Sequence, residues 1–366
     1  MIIGVDGNEA NVENKVGVSV YSLKLLQYFH KKSNQSCRFV IFLKKPPLPE
    51  LPKPNPFFKY KVVAGNFFWS RFFLPLALYK NRFSSQKIDV FFSPAHYTPR
   101  FSPVPLIVTI HDLSYFYYPE EFLKKDLYKL VNWTKRSIER AKKIIAVSQT
   151  TKRDLMKFYH LPEEKIAVIY NGYERQIKKT KEIKRWSLKK NKFILFVGTI
   201  QPRKNLLILI KAFIDFNKLN PEFKLIITGK KGWLYKTIFE EIKKNDLDKK
   251  IILTGYLPTE EVNWLYQNAL FFVHPSLYEG FGIPVLEAMS FDCPVLCSSA
   301  ASLPEIVGEA GIFFDPKNKE DLLKKMLILA KDFQLRQELI QKGKKRIKFF
   351  SWEKTGEQTL NLLKTL

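Results

Sequence analysis

The sequence predicts an α/β protein made of two Rossmann-like domains, with a helical tail at the C-terminus. Short runs of β-branched and aromatic residues alternate with amphipathic segments along the chain, and such alternation is typical of parallel sheets covered by helices. The pattern begins at Ile2 and begins again at Phe193, after a charged stretch. A chain of 366 residues also exceeds the usual size of a single hydrophobic core.

The strands of the first half are predicted as short buried runs, and its helices as longer amphipathic segments. The predicted strands are Ile2–Asp6, Phe39–Leu43, Val90–Ser93, Leu106–Ile110 and Ile144–Val147. The predicted helices are Val18–His30, Lys124–Ala141 and Thr150–Tyr159.

The second half repeats this rhythm with a different sequence. Its predicted strands are Phe193–Val197, Lys224–Thr228, Ile251–Thr254, Phe271–His274 and Val295–Cys297. Its predicted helices are Leu206–Leu219, Tyr235–Lys244, Thr259–Gln267 and Pro284–Ser290, followed by the tail helices Lys319–Lys331, Gln334–Phe350 and Trp352–Leu366.

The boundary between the halves is expected near residue 180. Asn171-Gly172 is a turn signal, and the charged segment Arg175–Lys190 after it has almost no strand pattern. The predicted domains are therefore 1–180 and 181–350, and we expect a final helix, 351–366, to pack back toward the first domain.

The charge of the chain is strongly basic, with 61 Lys+Arg against 35 Asp+Glu and a net charge of +26. Residues 1–180 alone hold 30 basic and 14 acidic residues. Such a field favours an anionic partner, such as a phosphorylated substrate, a membrane surface or a nucleic acid. A general enrichment in surface lysine explains the same numbers equally well.

Cysteine content and hydropathy exclude other classes. Three cysteines form neither a disulfide framework nor a zinc motif, so we expect a reducing compartment and a cytoplasmic protein. The sequence contains no run of 18 or more apolar residues, which is the length needed to span a membrane. Asp6 ends the first apolar run, which therefore reads as a buried strand and not as a signal peptide.

The loops after the strands are the places to look for a site, because ligands of parallel α/β sheets bind beyond the carboxyl ends of strands. In Ser276–Glu287 (SLYEGFGIPVLE), Gly280 and Gly282 allow close backbone approach before a helix that begins near Pro284. Glu279 and Glu287 there can accept hydrogen bonds from sugar hydroxyls. The plainer alternative is a tight turn with a carboxylate that favours the helix dipole.

Three further loops are candidates. Val197–Asn205 (VGTIQPRKN) brings Arg203 and Lys204 to a helix start, where they can meet a diphosphate. His111 ends the strand Leu106–Ile110 and can bond substrate or transfer a proton. His96 and His274 follow or end strands and rank lower, and Asp6–Ser19 can bind phosphate through backbone N–H groups. The plainer alternative for Arg203 and Lys204 is a pair of solvated surface charges. For the histidines it is a capped side chain with a structural role, and for Asp6–Ser19 it is an ordinary connecting loop.

Taken together, these loops resemble the family-4 (group 1) retaining glycosyltransferases, whose two Rossmann-like domains face each other across a cleft in the GT-B fold. The most specific match is EGFGIPVLE, from Glu279 to Glu287, preceded by His274-Pro275-Ser276. The order VGTIQPRKNL, LIITGKKG, ILTGYLPTEEV and PVLCSSAASLPEIVGEAGIFFDP extends the match over 190–316. The first domain is similar more loosely, through IHDLSYFYYPE, AVSQTTKRDL and VIYNGYE.

The resemblance implies roles for individual residues. Arg203 and Lys204 would neutralise the donor diphosphate, Glu287 would hold ribose hydroxyls, Glu279 would hold the transferred sugar, and His111 would lie beside that sugar from the other side of the cleft. The expected catalytic residues are His111, Glu279, Arg203 and Lys204. The expected donor-binding residues are Gly198, Thr199, Arg203, Lys204, Tyr256, Leu257, Glu279, Gly280, Phe281, Gly282, Ile283 and Glu287. The expected acceptor-binding residues are Gly17, Tyr21 and His96.

One departure concerns the first loop. Family members commonly carry a double glycine there, followed by an Arg-Tyr-like pair, whereas this chain has Val16-Gly17-Val18-Ser19-Val20-Tyr21. Gly17 and Tyr21 match that pattern, and the rest of the acceptor loop does not.

The expected reaction needs no cofactor and no metal, since no Asp-x-Asp cluster lies near the phosphate loops. The expected partners are a nucleotide-sugar donor and a glycan or lipid-linked acceptor. The resemblance implies that the donor is GDP-mannose and that mannose is transferred. An anionic membrane surface is a further expected contact, at the inner face of the membrane, and nucleic acid is not expected. The alternatives are a nucleotide-sugar epimerase of the same architecture and a non-enzymatic polyanion-binding protein.

Overall fold

The computed structural model describes residues 1–15, 17–65, 69–174, 180–232, 236–244, 247 and 249–366. Contacts divide the chain into two compact units, Met1–Gly172 with Phe350–Leu366 and Tyr173–Phe349. Each unit is a parallel sheet covered by helices, as the alternating pattern predicts. Part of the predicted boundary segment, residues 175–179, and Tyr235 of a predicted helix lie outside the described residues.

The first unit contains a seven-stranded sheet in the order β3-β2-β1-β4-β5-β6-β7. Its strands are β1 (Ile2–Asp6), β2 (Arg38–Leu43), β3 (Phe58–Val62), β4 (Val90–Ser93), β5 (Leu106–Ile110), β6 (Lys143–Ala146) and β7 (Ile166–Val168). Its helices are α1 (Val18–Lys32), α2 (Leu74–Asn81), α3 (Lys124–Arg140) and α4 (Gln149–Tyr159), with a π-helical turn at Trp69–Phe73.

The second unit contains a six-stranded sheet in the order β10-β9-β8-β11-β12-β13. Its strands are β8 (Phe193–Val197), β9 (Lys224–Thr228), β10 (Ile251–Gly255), β11 (Phe271–His274), β12 (Val295–Ser298) and β13 (Gly311–Phe314). Its helices are α5 (Leu206–Leu219), α6 (Lys236–Lys244), α7 (Thr259–Asn268), α8 (Ile283–Ser290), α9 (Leu303–Val307), α10 (Lys319–Lys331) and α11 (Phe333–Arg346).

The last helix, α12 (Trp352–Lys364), belongs to the first unit. Its buried face includes Gly356, where an added Cβ would lie 2.3 Å from the Tyr28 ring of α1. Thr355 donates a hydrogen bond of 2.8 Å to the Tyr170 carbonyl. These contacts tie the C-terminal helix to α1 and to the end of the first sheet.

Apolar burial explains why the central strands form. The residues of β4 and β5 are all buried, as expected of strands covered by helices on both faces. Phe29 of α1 stacks on Phe39 of β2 at 5.0 Å between ring centroids. In the second unit Phe213 and Phe216 of α5 are fully buried against the sheet.

In each sheet the strand order has one switch point, where the strands before it extend toward one edge and the strands after it extend toward the other. This point lies between β1 and β4 in the first sheet and between β8 and β11 in the second. At such a point the loops beyond the strand ends diverge and leave a crevice, which is where ligands of doubly wound sheets bind. The order of strands therefore singles out the loops after β8 and β11 in the second unit. In the first unit it singles out those after β1 and β4.

Candidate active site

The loops that follow β8 and β11 meet at the crevice of the second sheet. The Leu277 N–H donates a hydrogen bond of 2.9 Å to the Arg203 carbonyl, which joins the two loops directly. Arg203 and Lys204 lie in a single 3-10 turn before α5, and Asn205 ends it in a left-handed conformation with φ 54°. The sequence segments that predicted a phosphate loop and a sugar loop are thus neighbours.

The central feature of the site is an ion-pair cluster of Arg203, Lys204 and Glu279. The Lys204 ammonium donates to Oε1 of Glu279, and the Arg203 guanidinium lies 3.5 Å from Oε2. Arg203 also donates to the Tyr278 carbonyl. The three side chains are only 11–13% exposed. Two cations against one carboxylate leave this largely buried cluster with a net charge of +1.

The Glu279 carboxylate is ionised at neutral pH. Burial opposes its ionisation, but Lys204, the hydrogen bond from His274 and Arg203 together outweigh burial and hold the pKa well below its usual value of 4.5. This carboxylate can therefore accept charge-assisted hydrogen bonds from a ligand as well as fix the two cations.

His274 holds the Glu279 carboxylate in position through a hydrogen bond. Its Nε2 lies 3.0 Å from Oε1 of Glu279, and its ring stacks on those of Phe196 and Phe272. Burial lowers the pKa of this histidine, so the neutral ring donates Nε2–H to the carboxylate. The sequence ranked His274 as a lesser candidate for substrate contact, and the structure makes it a positioning residue for Glu279.

The glycine-rich loop is shaped by backbone conformation. Gly282 has φ 101° immediately before α8, and a Cβ there would lie 2.9 Å from Leu303, so this position favours glycine. Buried Ser302 lies 2.8 Å from the Glu279 carbonyl and 3.0 Å from that of Phe281, and its hydroxyl holds both. The sequence did not single out Ser302, because it lies on a different strand's loop.

The start of α8 completes this side of the crevice. Gly280 and Phe281 are buried, and Ile283 is the first helical residue and half-buried. The N–H groups of a helix start have no partner within the helix, and the helix dipole makes them favourable for an anion. An anion seated here would also face the cluster of Arg203 and Lys204.

Glu287 lies one turn into α8, where the Tyr266 hydroxyl donates a hydrogen bond of 3.0 Å to its Oε2. Burial raises the pKa of this carboxyl group. The other oxygen, Oε1, has no hydrogen-bond partner among the described residues, so it can accept from a ligand. Glu279 and Glu287 therefore differ in environment: the first is held ionised by cations, and the second is held by a neutral hydroxyl.

The remaining predicted donor residues lie at the same edge of the sheet. Gly198 has φ 156°. The Gly198 carbonyl oxygen lies against Gly229 of the neighbouring loop, where an added Cβ would be only 1.9 Å from it. Thr199 is exposed beside it. After β10, Leu257 is buried, whereas Tyr256 is 67% exposed and carries the Lys230 ammonium 4.9 Å above its ring. Lys230 was not predicted, although it follows β9 at the same edge.

In the first unit, His111 and His96 lie together after β5 and β4. The His111 Nε2 donates a hydrogen bond of 2.8 Å to the Pro94 carbonyl, and burial, with His96 nearby, lowers the His111 pKa to about 4. His111 is therefore neutral at pH 7 and acts there as a hydrogen-bonding group. The His96 ring is centred 5.9 Å from that of His111, and its buried Nδ1 has no partner among the described residues.

The two other predicted acceptor residues differ in exposure. Gly17 is exposed and precedes α1 with φ 43°. Tyr21 is 1% exposed, bonds Thr109 through its hydroxyl at 3.1 Å, and meets the His111 ring edge-on at 4.8 Å. Tyr21 thus supports His111 from the core, and a contact with the acceptor remains a prediction for Gly17, Tyr21 and His96.

The described residues lack both a metal-binding cluster and a membrane-spanning helix. They contain no group of three or more His, Cys, Asp or Glu side chains that could hold a metal ion. No helix in the described ranges is both long enough and apolar enough to cross a membrane.

Comparison with known proteins matches both halves of the chain. Residues 178–346 match the family described as Glycosyl transferases group 1, and residues 16–176 match Glycosyltransferase Family 4. An O-antigen chain mannosyltransferase B of Escherichia coli is 32% identical over 71% of this chain and 70% of its own length. An O-antigen chain mannosyltransferase of Salmonella typhimurium is 30% identical over 59% of this chain and 60% of its own.

Solved structures resemble the chain over its whole length. A sucrose-phosphate synthase of Thermosynechococcus elongatus has a TM-score of 0.76 at 17% identity and covers 100% of this chain and 98% of its own. The Anabaena protein HepE in complex with UDP has a TM-score of 0.75 at 18% identity, with 100% of both chains covered. The chain spans less of some curated relatives, including 32% of the serotype-specific mannosyltransferase WbdA of Escherichia coli.

Proposed function

Because the chain belongs to the group 1 glycosyltransferases and has their GT-B fold, we propose that it transfers a hexose from a nucleotide-diphosphate sugar with retention of anomeric configuration. The observation that carries this proposal is the cluster of Arg203, Lys204 and Glu279 at the β8–β11 crevice. Two cations, a carboxylate and a helix start suit a diphosphate attached to a ring of hydroxyl groups.

The donor sugar that we propose is mannose, carried by GDP. The acceptor is a glycan or a lipid-linked glycan, in the synthesis of a cell-envelope polysaccharide or glycolipid. Support comes from the relatives named as O-antigen chain mannosyltransferases. Uridine donors are the alternative, because the similar Anabaena protein is described in complex with UDP.

The proposed mechanism relies on stabilising the leaving group. As the bond from sugar to phosphate breaks, negative charge builds up on the departing diphosphate. Arg203 and Lys204 are already fixed by Glu279, so they need little reorganisation to meet that charge. The net charge of +1 in their cluster and the start of α8 favour the same anion. In this proposal the cluster lowers the barrier without a protein nucleophile.

Other residues bind and orient the donor. Glu279 accepts hydrogen bonds from hydroxyl groups of the transferred sugar, and the backbone of Gly280 and Gly282 approaches it closely. Glu287 accepts from the ribose hydroxyls through the oxygen that Tyr266 does not occupy. Tyr256, exposed beside Lys230, meets the base. In the first unit, neutral His111 donates its Nε2–H to the Pro94 carbonyl, so its Nδ1 is the atom that can accept a hydrogen bond from a sugar hydroxyl.

A thermal-shift screen tests the donor proposal. Purified protein is heated with GDP-mannose, UDP-glucose, UDP-N-acetylglucosamine and dTDP-rhamnose, since a ligand that binds the folded state raises the melting temperature. We expect the largest rise with GDP-mannose. A larger rise with a uridine sugar reassigns the donor, and no rise with any nucleotide sugar contradicts the proposed function.

We further propose that transfer needs no metal, because Arg203 and Lys204 take the place that a divalent cation has at other phosphate sites. Turnover is therefore expected to stay unchanged when EDTA is added to the assay. Added Mg²⁺ or Mn²⁺ serves as the matched comparison. Loss of turnover in EDTA that either metal restores would overturn the metal-free mechanism.

We propose that the protein works at the cytoplasmic face of an anionic membrane, through one face of the segment 57–83. The π-helical turn and α2 expose large apolar side chains at helical spacing, namely Phe72, Phe73, Leu76 and Tyr79, and Phe83 is exposed just after α2. Lys80 and Arg82 are exposed next to them. Trp69, in contrast, is buried and donates to the Val63 carbonyl, and Phe67 and Phe68 lie outside the described residues.

Vesicle co-sedimentation tests the membrane proposal. Basic residues near an anionic leaflet contribute about 1 kcal/mol each, and exposed aromatic rings can settle at the headgroup level. Binding should rise with the fraction of anionic lipid, fall with salt, and fall when Arg71, Lys80 and Arg82 are changed to Glu. If the protein does not bind anionic vesicles at low salt, the membrane proposal is wrong and a soluble acceptor is favoured instead.

A further inference from the structure

A second basic site lies within the first unit, on residues that the proposed transfer does not use. Arg71, Arg100, Arg136 and Arg140 line a pocket of about 90 Å³. They come from the π-helical turn, the loop after β4, and the last two turns of α3. Residues distant in sequence therefore bring four guanidinium groups to one small cavity, which we call the arginine pocket.

Three of the four guanidinium groups, those of Arg100, Arg136 and Arg140, lack a carboxylate within ion-pair distance in the described part of the chain. Among the described residues, Arg100, Arg136 and Arg140 form no ion pair and no side-chain hydrogen bond with the protein. Partial burial and the charges of Arg100 and Arg136 lower the Arg140 pKa, and neighbouring Glu139 offsets this only in part. Like charges held together in this way repel each other until an anion arrives, so the pocket favours anion binding.

The pocket also contains an unused hydroxyl group. Thr98 lines it and is 5% exposed, and its Oγ1 has no hydrogen-bond partner in the described part of the chain. Its backbone N–H is fixed by a 3.0 Å bond to Ser137 of α3. Arg71 is held in place as well, with its guanidinium 4.5 Å above the Trp133 ring. A buried hydroxyl group without a partner is costly unless a ligand satisfies it.

We propose that the arginine pocket binds a single phosphate group. Guanidinium groups match phosphate oxygens with paired hydrogen bonds, and the Thr98 hydroxyl can donate one more. Sites for small organic ligands usually measure about 300–1,000 Å³, so a pocket of about 90 Å³ suits one anionic group and not a whole nucleotide sugar. The site is thus different from the donor site of the second unit.

The surroundings indicate how the phosphate is presented. An adjoining groove shares Arg100 and Arg140 with the pocket and is also lined by Tyr79 and Phe101. These two rings are 43% and 55% exposed. A phosphate carried by an apolar chain would meet both surfaces, and a soluble phosphate ester would meet the pocket alone.

Equilibrium dialysis of labelled inorganic phosphate against the full chain, at fixed ionic strength, tests the pocket. We expect Arg136→Gln with Arg140→Gln to weaken binding at this site at least about tenfold, and Thr98→Val to weaken it about threefold. The matched control, Lys53→Gln with Lys87→Gln, removes the same charge from exposed positions of the same unit. Lys204→Ala identifies any phosphate bound at the donor site.

A second arm identifies the source of the phosphate. If it belongs to a lipid, the Arg136/Arg140 variant also loses binding to vesicles containing phosphatidic acid, and Lys80→Glu with Arg82→Glu keeps its phosphate binding. If the phosphate is soluble, glycerol 3-phosphate binding falls and vesicle binding does not change. The proposal is overturned if the arginine variant binds phosphate, glycerol 3-phosphate and vesicles as tightly as the lysine control does.

Discussion

Glu279→Gln is expected to lower kcat/KM for the donor about 100-fold, the scale of losing one fixed group that stabilises charge in a transition state. The substitution removes an ionised acceptor for the sugar hydroxyls. It also frees Lys204 and Arg203, which the carboxylate holds in place. Steady-state kinetics with a saturating acceptor measure the loss. Exposed Glu309→Gln is the matched control and should leave the rate unchanged.

The same substitution is expected to lower the free energy of unfolding by about 3 kcal/mol at pH 7, because it leaves largely buried cations without their partner. The Glu279 pKa is depressed in the folded state, so its contribution is complete above the unfolded pKa and is lost as the pH falls through the folded pKa. Denaturant titrations should therefore show wild type and variant converging below pH 4.5. A difference in the free energy of unfolding between wild type and variant that stays the same at every pH would contradict this account of Glu279.

Lys204→Ala is expected to cost at least about 2 kcal/mol in transition-state stabilisation, or about 30-fold in kcat/KM. The lysine offers a charge-assisted contact to the departing diphosphate, and its removal leaves Glu279 with less opposing charge. Lys211→Ala, which removes an exposed lysine from α5, is the control. Kinetics of Lys204→Ala equal to those of the control would show that the diphosphate binds elsewhere.

The central strands could be predicted from the sequence because burial on both faces makes them continuous apolar runs. The predicted bounds of β1, β4, β5, β8, β9 and β11 are those of the structure. The strands that were not predicted, β3, β7 and β13, all lie at the edges of the sheets. Alternating lysines in β3 (FKYKV) and the short length of β7 hide the apolar pattern that marks a strand.

No helix was predicted in the segment before β4. The structure forms a π-helical turn and α2 there, in a stretch rich in aromatic and basic residues. A proline at the second position of α2 is compatible with a helix start, but the sequence pattern around it is apolar on nearly every side. Which rings face outward depends on packing against the neighbouring strand, and a local pattern does not carry that information.

The site was predicted as a set of loops but not as a cluster. Each loop has a local signal, such as the glycines around Glu279 or the paired cations at Arg203. The ion pair between Lys204 and Glu279 joins positions 75 residues apart, and it forms because β8 and β11 are neighbours in the sheet. His274 and Ser302 were missed as supports for the same reason, since their roles appear only once strand order is known.

The most direct test of the central claim, that the β8–β11 crevice binds a nucleotide diphosphate through protein cations, is a calorimetric titration in EDTA. GDP and UDP are titrated into the wild type, Lys204→Ala and Lys211→Ala. We expect one of the two nucleotides to bind wild type and Lys211→Ala equally, and to bind Lys204→Ala at least about tenfold more weakly. Equal affinity for all three chains, or no binding to any, would contradict it.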